Sequence, residues 1–135
     1  MSPYLLDTNH AAELLKSRRS PLWEKMYPLA KDDCLLCRPV AAELWFMVFN
    51  SQRIDENRGR LEQFLSQFII AEFDEPAAIE YGRLRTELRG LGTPIPTFDI
   101  LIASIARARQ LVVVSSDKHF HNVPGLQVVD WLAGA

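Results

Sequence analysis

The chain has 135 residues, 48% apolar and 24% charged, with a formal net charge of −2. That is the size of one domain, long enough to bury a core without staples. The proportions are those of an ordinary soluble globular protein, with no global basic signal for nucleic acid and no acidic tail. A nucleic-acid role stays open, because acids gathered in one cleft can offset basic residues elsewhere.

No apolar run approaches the roughly 18 residues that a membrane helix needs. The opening "MSPYLLDTNH" lacks the basic region and long apolar core of a signal peptide. The expectation is a cytoplasmic protein. Two cysteines, Cys34 and Cys37, are too few for a disulfide scaffold. They lie in "CLLC", which reads as a strand. Residues three apart on a strand face opposite sides, and no second pair is available to complete a zinc site. Both are expected to be buried apolar thiols.

In chain order, "YLLD" (Tyr4 to Asp7) reads as a short buried strand. "TNHAAELLKS" follows as a helix, with Ala11, Leu14 and Leu15 at helical spacing. A second helix covers "PLWEKMYPLA", opened by Pro21 and disturbed at Pro28. "CLLCRP" is the second strand. From Pro39 a helix carries Val40, Leu44, Met47 and Val48 as its apolar stripe. Another spans about Asp55 to Gln67, with Leu61, Phe64 and Leu65 inward. "FIIAEF" reads as a strand. The next helix begins at an Asp74 cap with Pro76 in its first turn and stops at Gly90 or Gly92. A helix from Thr97 to Arg109 is apolar on nearly every side. "LVVVS" is the most strand-like run, and "LQVVD" makes a last short strand. Continuous apolar strands alternating with helices predict an α/β fold: a central, mostly parallel sheet with helices on both faces, in a single domain over residues 1–135.

Sites in such sheets form at the carboxyl ends of the strands. Asp7 ends the first strand, and Asp117 follows the "LVVVSS" strand. Glu43 has Pro39, Val40, Phe46 and Met47 as its helical neighbours, so it belongs on or beside the buried stripe. Asp99 sits among Ile95, Pro96, Ile102 and Ala103 in the first turn of an apolar helix. Each acid alone has a structural explanation: a helix cap for Asp7, a dipole partner for Asp99, an Asx turn for Asp117, a solvated edge for Glu43. Together they repel one another, and no Lys or Arg lies at a neighbouring helical position to compensate Glu43 or Asp99. A divalent cation removes the conflict, and oxygen ligands favour Mg²⁺ or Mn²⁺ over zinc.

The words "LLDTN", "AAEL", "PTFDILIASIA" and "VVVSSDKHF", in this order and spacing, resemble the PIN-domain ribonucleases. Within them the chain is most similar to the VapC-type toxins of type II toxin–antitoxin pairs. The likeness runs through nearly the whole chain, including "FDEPAAIEYGRLRTELRGLG" and the ending "HFHNVPGLQVVDW". It implies a PIN-like three-layer fold and an Mg²⁺- or Mn²⁺-dependent endoribonuclease that hydrolyses RNA phosphodiester bonds with an activated water. It places the metal-binding and catalytic acids on Asp7, Glu43, Asp99 and Asp117. Thr8, Asn9 and Ser115 are implied as supporting neighbours, with Ser115 standing where Thr is more usual. It also implies a homodimer, a VapB-type antitoxin partner and an RNA substrate.

For gripping RNA, Arg83, Arg85 and Arg89 share one helix, and Lys16, Arg18 and Arg19 cluster after the first. Arg85, then Arg89, are the preferred phosphate contacts. His119 and His121 flank Phe120 in a loop where Phe120 plugs the core, and are read as non-catalytic. His10 is read as incidental. Trp23, Trp45, Phe46, Phe49, Phe64 and Phe68 divide between core packing and a patch for a partner or second copy. The alternative function is a PIN scaffold without useful catalysis that binds RNA or protein. An aspartyl-phosphate mechanism fits less well, because no second acid stands two residues after Asp7.

Overall fold

A computed structural model describes residues 2–133. Five strands form one sheet: β1 (Tyr4–Leu6), β2 (Cys34–Cys37), β3 (Ile70–Ala71), β4 (Val112–Val114) and β5 (Val128–Val129). Their spatial order is β3-β2-β1-β4-β5, and every neighbouring pair is parallel. Leu5, Leu6, Leu36, Cys37, Val113 and Val114 are completely buried. Helices cover both faces of such strands, so no alternation of polar residues is required. The cysteines are buried as expected, and burial pushes both thiols up to about 12.

Six helices connect the strands: α1 (Thr8–Lys16), α2 (Leu22–Met26), α3 (Arg38–Phe49), α4 (Ile54–Leu65), α5 (Glu75–Leu91) and α6 (Thr97–Arg109). The end signals of α5 act as read. Asp74 accepts the Ala77 N–H at 3.2 Å, and Gly92 closes the helix with φ +67°. Helix α2 ends at Met26 although Tyr27 keeps helical backbone angles and donates its N–H to the Trp23 carbonyl; Pro28 follows and has no N–H with which to continue the ladder. The edge strands are shorter than "FIIAEF" and "LQVVD" suggested. β3 and β5 each have a partner on one side only, so fewer backbone groups are held in register.

One expectation about a helix face needs correction. Met47 was placed in the inner stripe of α3 but is 48% exposed, while Val40, Ala41, Leu44 and Val48 form the true buried face. The aromatic set divides: Trp23, Phe64 and Phe68 are core residues, Trp45 is half-buried, and Phe46 and Phe49 face outward. Helix α6 is buried over Asp99, Ile100, Ile102, Ala103, Ser104, Ile105 and Ala106, as its composition predicts.

The strand order positions the site. The chain builds outward from β1 to β2 and β3, then returns so that β4 lies on the other side of β1. Ligand crevices in parallel sheets open outside the carboxyl ends at such a reversal. β4 leads directly into a 3-10 turn, Lys118–Asn122, whose Phe120 is wholly buried. Phe120→Ala is expected to lower unfolding free energy by about 3–5 kcal/mol, and urea denaturation with a two-state fit measures that loss.

Candidate active site

Asp7 is the first residue past β1. Its backbone N–H still donates to the Val114 carbonyl at 3.0 Å, so it remains tied to the sheet. Its side chain turns to the start of α1, where Oδ1 accepts the Thr8 N–H at 2.7 Å. The other oxygen, Oδ2, accepts the Ser115 hydroxyl at 2.7 Å. Ser115 Oγ in turn accepts the backbone N–H of Asp117 at 2.9 Å. A hydroxyl has one proton to give and lone pairs to receive, so one buried serine holds both sheet-edge acids in relative position.

Asp117 also caps the 3-10 turn, accepting the His119 N–H at 2.9 Å. That turn swings the His119 ring back over the acids. His119 Nδ1 lies 2.9 Å from Asp117 Oδ1 and 3.1 Å from Asp99 Oδ2. Asp99, in the first turn of α6, is only 7% exposed. Ligand atoms of Asp99, Asp117 and His119 all lie within 4.8 Å of one another.

The electrostatics follow from this crowding. Burial pushes the Asp99 carboxyl up to about 6, helped by the negative charges of Asp117 and Asp7 and opposed by the His119 hydrogen bond. Burial also raises Asp117, but the His119 backbone N–H, a hydrogen bond with Asp99 and the His119 ring together outweigh it. Asp117 is held below the usual carboxylate range. Two carboxyls in one pocket separate in this way because both cannot ionise freely.

Glu43 is half-buried on α3, which packs against α6, but it stands outside the tight group of three. Among the described residues it has no basic partner at ion-pair distance. The argument that placed it beside a buried stripe is only half right, since its neighbours Phe46 and Met47 are exposed. Of the supporting neighbours, Thr8 contributes its backbone N–H and Ser115 its hydroxyl. Asn9 is exposed and lines a groove between α1, α3 and α4. Arg85 and Arg89 are exposed on α5. The Arg85 guanidinium sits 5.9 Å from the Tyr81 ring centroid and donates to its hydroxyl at 3.0 Å, whereas Arg83 is paired with Glu80.

His119 is the residue that sequence reasoning set aside. The available signal was its position two after a capping acid, where an Asx-type turn folds the chain back. His10 does not line the cleft. It is completely buried, and its Nε2 accepts the Trp131 N–H at 3.2 Å, fastening the segment after β5 to α1.

The PIN domain family model matches residues 4–126. This chain belongs to the PIN-domain family. Among its relatives, Ribonuclease VapC2 of Rickettsia felis is 33% identical over 95% of this chain and 97% of its own length. The tRNA(fMet)-specific endonuclease VapC of Salmonella typhimurium is 30% identical over 97% of this chain and 99% of its own. The solved structure of DNA-bound VapBC from Salmonella typhimurium superposes with a TM-score of 0.88, covering 97% of this chain and 99% of that one at 30% identity. Within the PIN family the chain is of the VapC type. No helix among the described residues is long and apolar enough to cross a membrane.

In this PIN-domain protein the donor set fits a divalent cation. Two carboxylates and an imidazole converge, one carboxylate is nearly buried, and neither acid has a Lys or Arg partner among the described residues. Without metal, Asp99 binds its proton more tightly folded than unfolded. Its contribution to stability is therefore present below its unfolded value of about 4 and lost as pH rises through about 6. Asp99→Asn, in chelator, is expected to raise Tm at pH 7.5 by about 3–5 °C, the equivalent of about 1 kcal/mol in a chain this long. At pH 4.5, near the low end of that window, most of the gain should be gone. Scanning calorimetry at the two pH values checks both.

Proposed function

We propose that this protein is an Mg²⁺- or Mn²⁺-dependent endoribonuclease toxin that hydrolyses RNA phosphodiester bonds and is held in check by a VapB-type antitoxin. The observation that carries the reading is the buried Asp99 facing Asp117 at the sheet reversal, with no Lys or Arg among the described residues to neutralise the pair. The VapC names of its relatives support the reaction class, and the solved VapBC structures support the partner.

Asp7 and Asp99 are the central ligands in this proposal, and Glu43 and Asp117 complete the acidic set. A bound divalent cation would acidify the attacking water and offset charge at the scissile phosphate. The chain's own work is positional. Thr8 N–H and Ser115 Oγ leave Asp7 little freedom. Ser115 also fixes the turn that presents Asp117. Asp117, held below its ordinary range, stays ionised at neutral pH and so remains available as a ligand. A carboxylate of this set that is not engaged with metal can take the water's proton, for which a value near neutrality is suitable. Attack by water rather than by the ribose hydroxyl leaves a 5′-phosphate and a 3′-hydroxyl.

Arg85 and Arg89 are proposed to meet the RNA backbone, and the cytoplasm is the compartment where the substrate is found. The outward Phe46 and Phe49 are proposed as part of the surface used by the second copy of a homodimer. The competing reading, a PIN scaffold that binds without cutting, requires no cation and predicts no new RNA ends.

Brief expression of wild type should generate new 5′-phosphate ends in total RNA, mapped by ligation and sequencing. Asp7→Asn should reduce them by at least ~10²-fold, the usual weight of one preorganised electrostatic group. Equal ends from both proteins would remove Asp7 from the chemistry. Arg85→Ala should weaken RNA binding and reduce the slope of log affinity against log salt by about one counterion. An unchanged slope in a fluorescence titration would exclude that phosphate contact.

A further inference from the structure

Among the described residues His119 is the nitrogen best placed for a metal, although the sequence reading set it aside. Three observations converge. Its Nδ1 lies 2.9 Å and 3.1 Å from one oxygen each of Asp117 and Asp99. Adjacent ligands of an octahedral ion with bonds of about 2.1 Å stand about 3 Å apart, so this is also the spacing of donors that share one ion. Second, the ring's approach is built in: the His119 backbone N–H bonds Asp117, and the next residue, Phe120, is anchored at 0% exposure. Third, the ring is half-exposed and can exchange a hydrogen-bonding role for a ligating one without disturbing the core.

We propose that His119 is itself a ligand, through Nδ1, of the cation held by Asp99 and Asp117, and that this nitrogen tilts the site away from Mg²⁺ toward first-row ions such as Mn²⁺. The inference rests on the acid cluster being a metal site. Mg²⁺ prefers oxygen donors and gives up its waters reluctantly, whereas imidazole suits first-row transition metals. In the metal-free protein Nδ1–H serves the two carboxyls as a donor. In the loaded protein the neutral ring presents its lone pair instead, and the Nδ1 proton has left to solvent or to the other ring nitrogen. The other histidines cannot substitute. His10 is sealed in the core with Nε2 engaged by Trp131, and His121 is exposed and lies outside the cluster.

Pulsed electron paramagnetic resonance on the Mn²⁺-loaded protein tests this directly. Wild type should show ¹⁴N modulation of a directly bound imidazole, which converts to the ¹⁵N pattern when histidine is ¹⁵N-labelled. His119→Ala should lose it, and its Mn²⁺ Kd should rise at least about tenfold, no less than loss of an outer-sphere partner costs. Its Mg²⁺ Kd should change less than about threefold. A loaded wild type without histidine modulation overturns the proposal while leaving the acid cluster intact as a metal site. Equal losses for the two ions overturn the claimed preference. Failure of wild type to bind Mn²⁺ at all overturns the cluster reading as well. The labelled wild type settles the ligand question even should the variant fold poorly.

Discussion

Mutual repulsion between Asp99 and Asp117, in a place where water can shield only one of them, is the constraint on which the rest depends. An uncompensated buried carboxylate costs several kcal/mol, a large share of the ~5–15 kcal/mol by which a domain is stable. The fold offsets this elsewhere. Leu5, Leu6, Val113 and Val114 fill the sheet, and Ile102 and Ile105 on the same helix as Asp99 are completely buried. The helix that carries the unfavourable charge is thus also one of the best anchored. A loop could relieve the strain by moving away; a helix packed on so many sides cannot.

Strand order converts that local conflict into a site. Because β4 returns to the side of β1 opposite β2, residues 108 positions apart, Asp7 and Ser115, come within hydrogen-bonding distance. A hydroxyl at this point does what a second carboxylate could not: it donates to one acid and receives from the backbone of the other. The positions of the charges are therefore set by the sheet and α6, and their spacing is set by one neutral buried residue.

Legibility followed the physics of each element. The caps and stops of α5 and the limits of α6 could be read because Asp74, Pro76, Gly92 and Pro96 act through local backbone geometry. Asp7 and Asp117 could be read because a carboxylate at the end of a buried strand has one place to go. Glu43 was placed by its helical neighbours, and that reasoning weakens where Phe46 and Met47 turn outward, since apolar residues on a surface and in a core look alike in a sequence. The short edge strands depend on pairing partners that periodicity does not encode. His119 escaped because its proximity to Asp99, 20 positions away, is tertiary, and because a histidine beside a core phenylalanine reads as loop.

Charge distribution ties the proposed grip on RNA to the metal. Arg38, Arg53, Arg58, Arg83, Arg107 and Arg109 are already paired with carboxylates of the protein, whereas Arg85 and Arg89 have no carboxylate partner at ion-pair distance among the described residues. With a net charge of −2, the chain has no general attraction for an anionic polymer. An acidic cleft without its cation would repel the same phosphates that the free arginines attract. A bound divalent cation would cancel part of that negative charge at the point of chemistry. Metal and RNA, in the proposed reaction, should therefore each raise the other's affinity by the same factor, as linkage requires, so a cation that reconciles the acids with one another would also reconcile them with the proposed substrate.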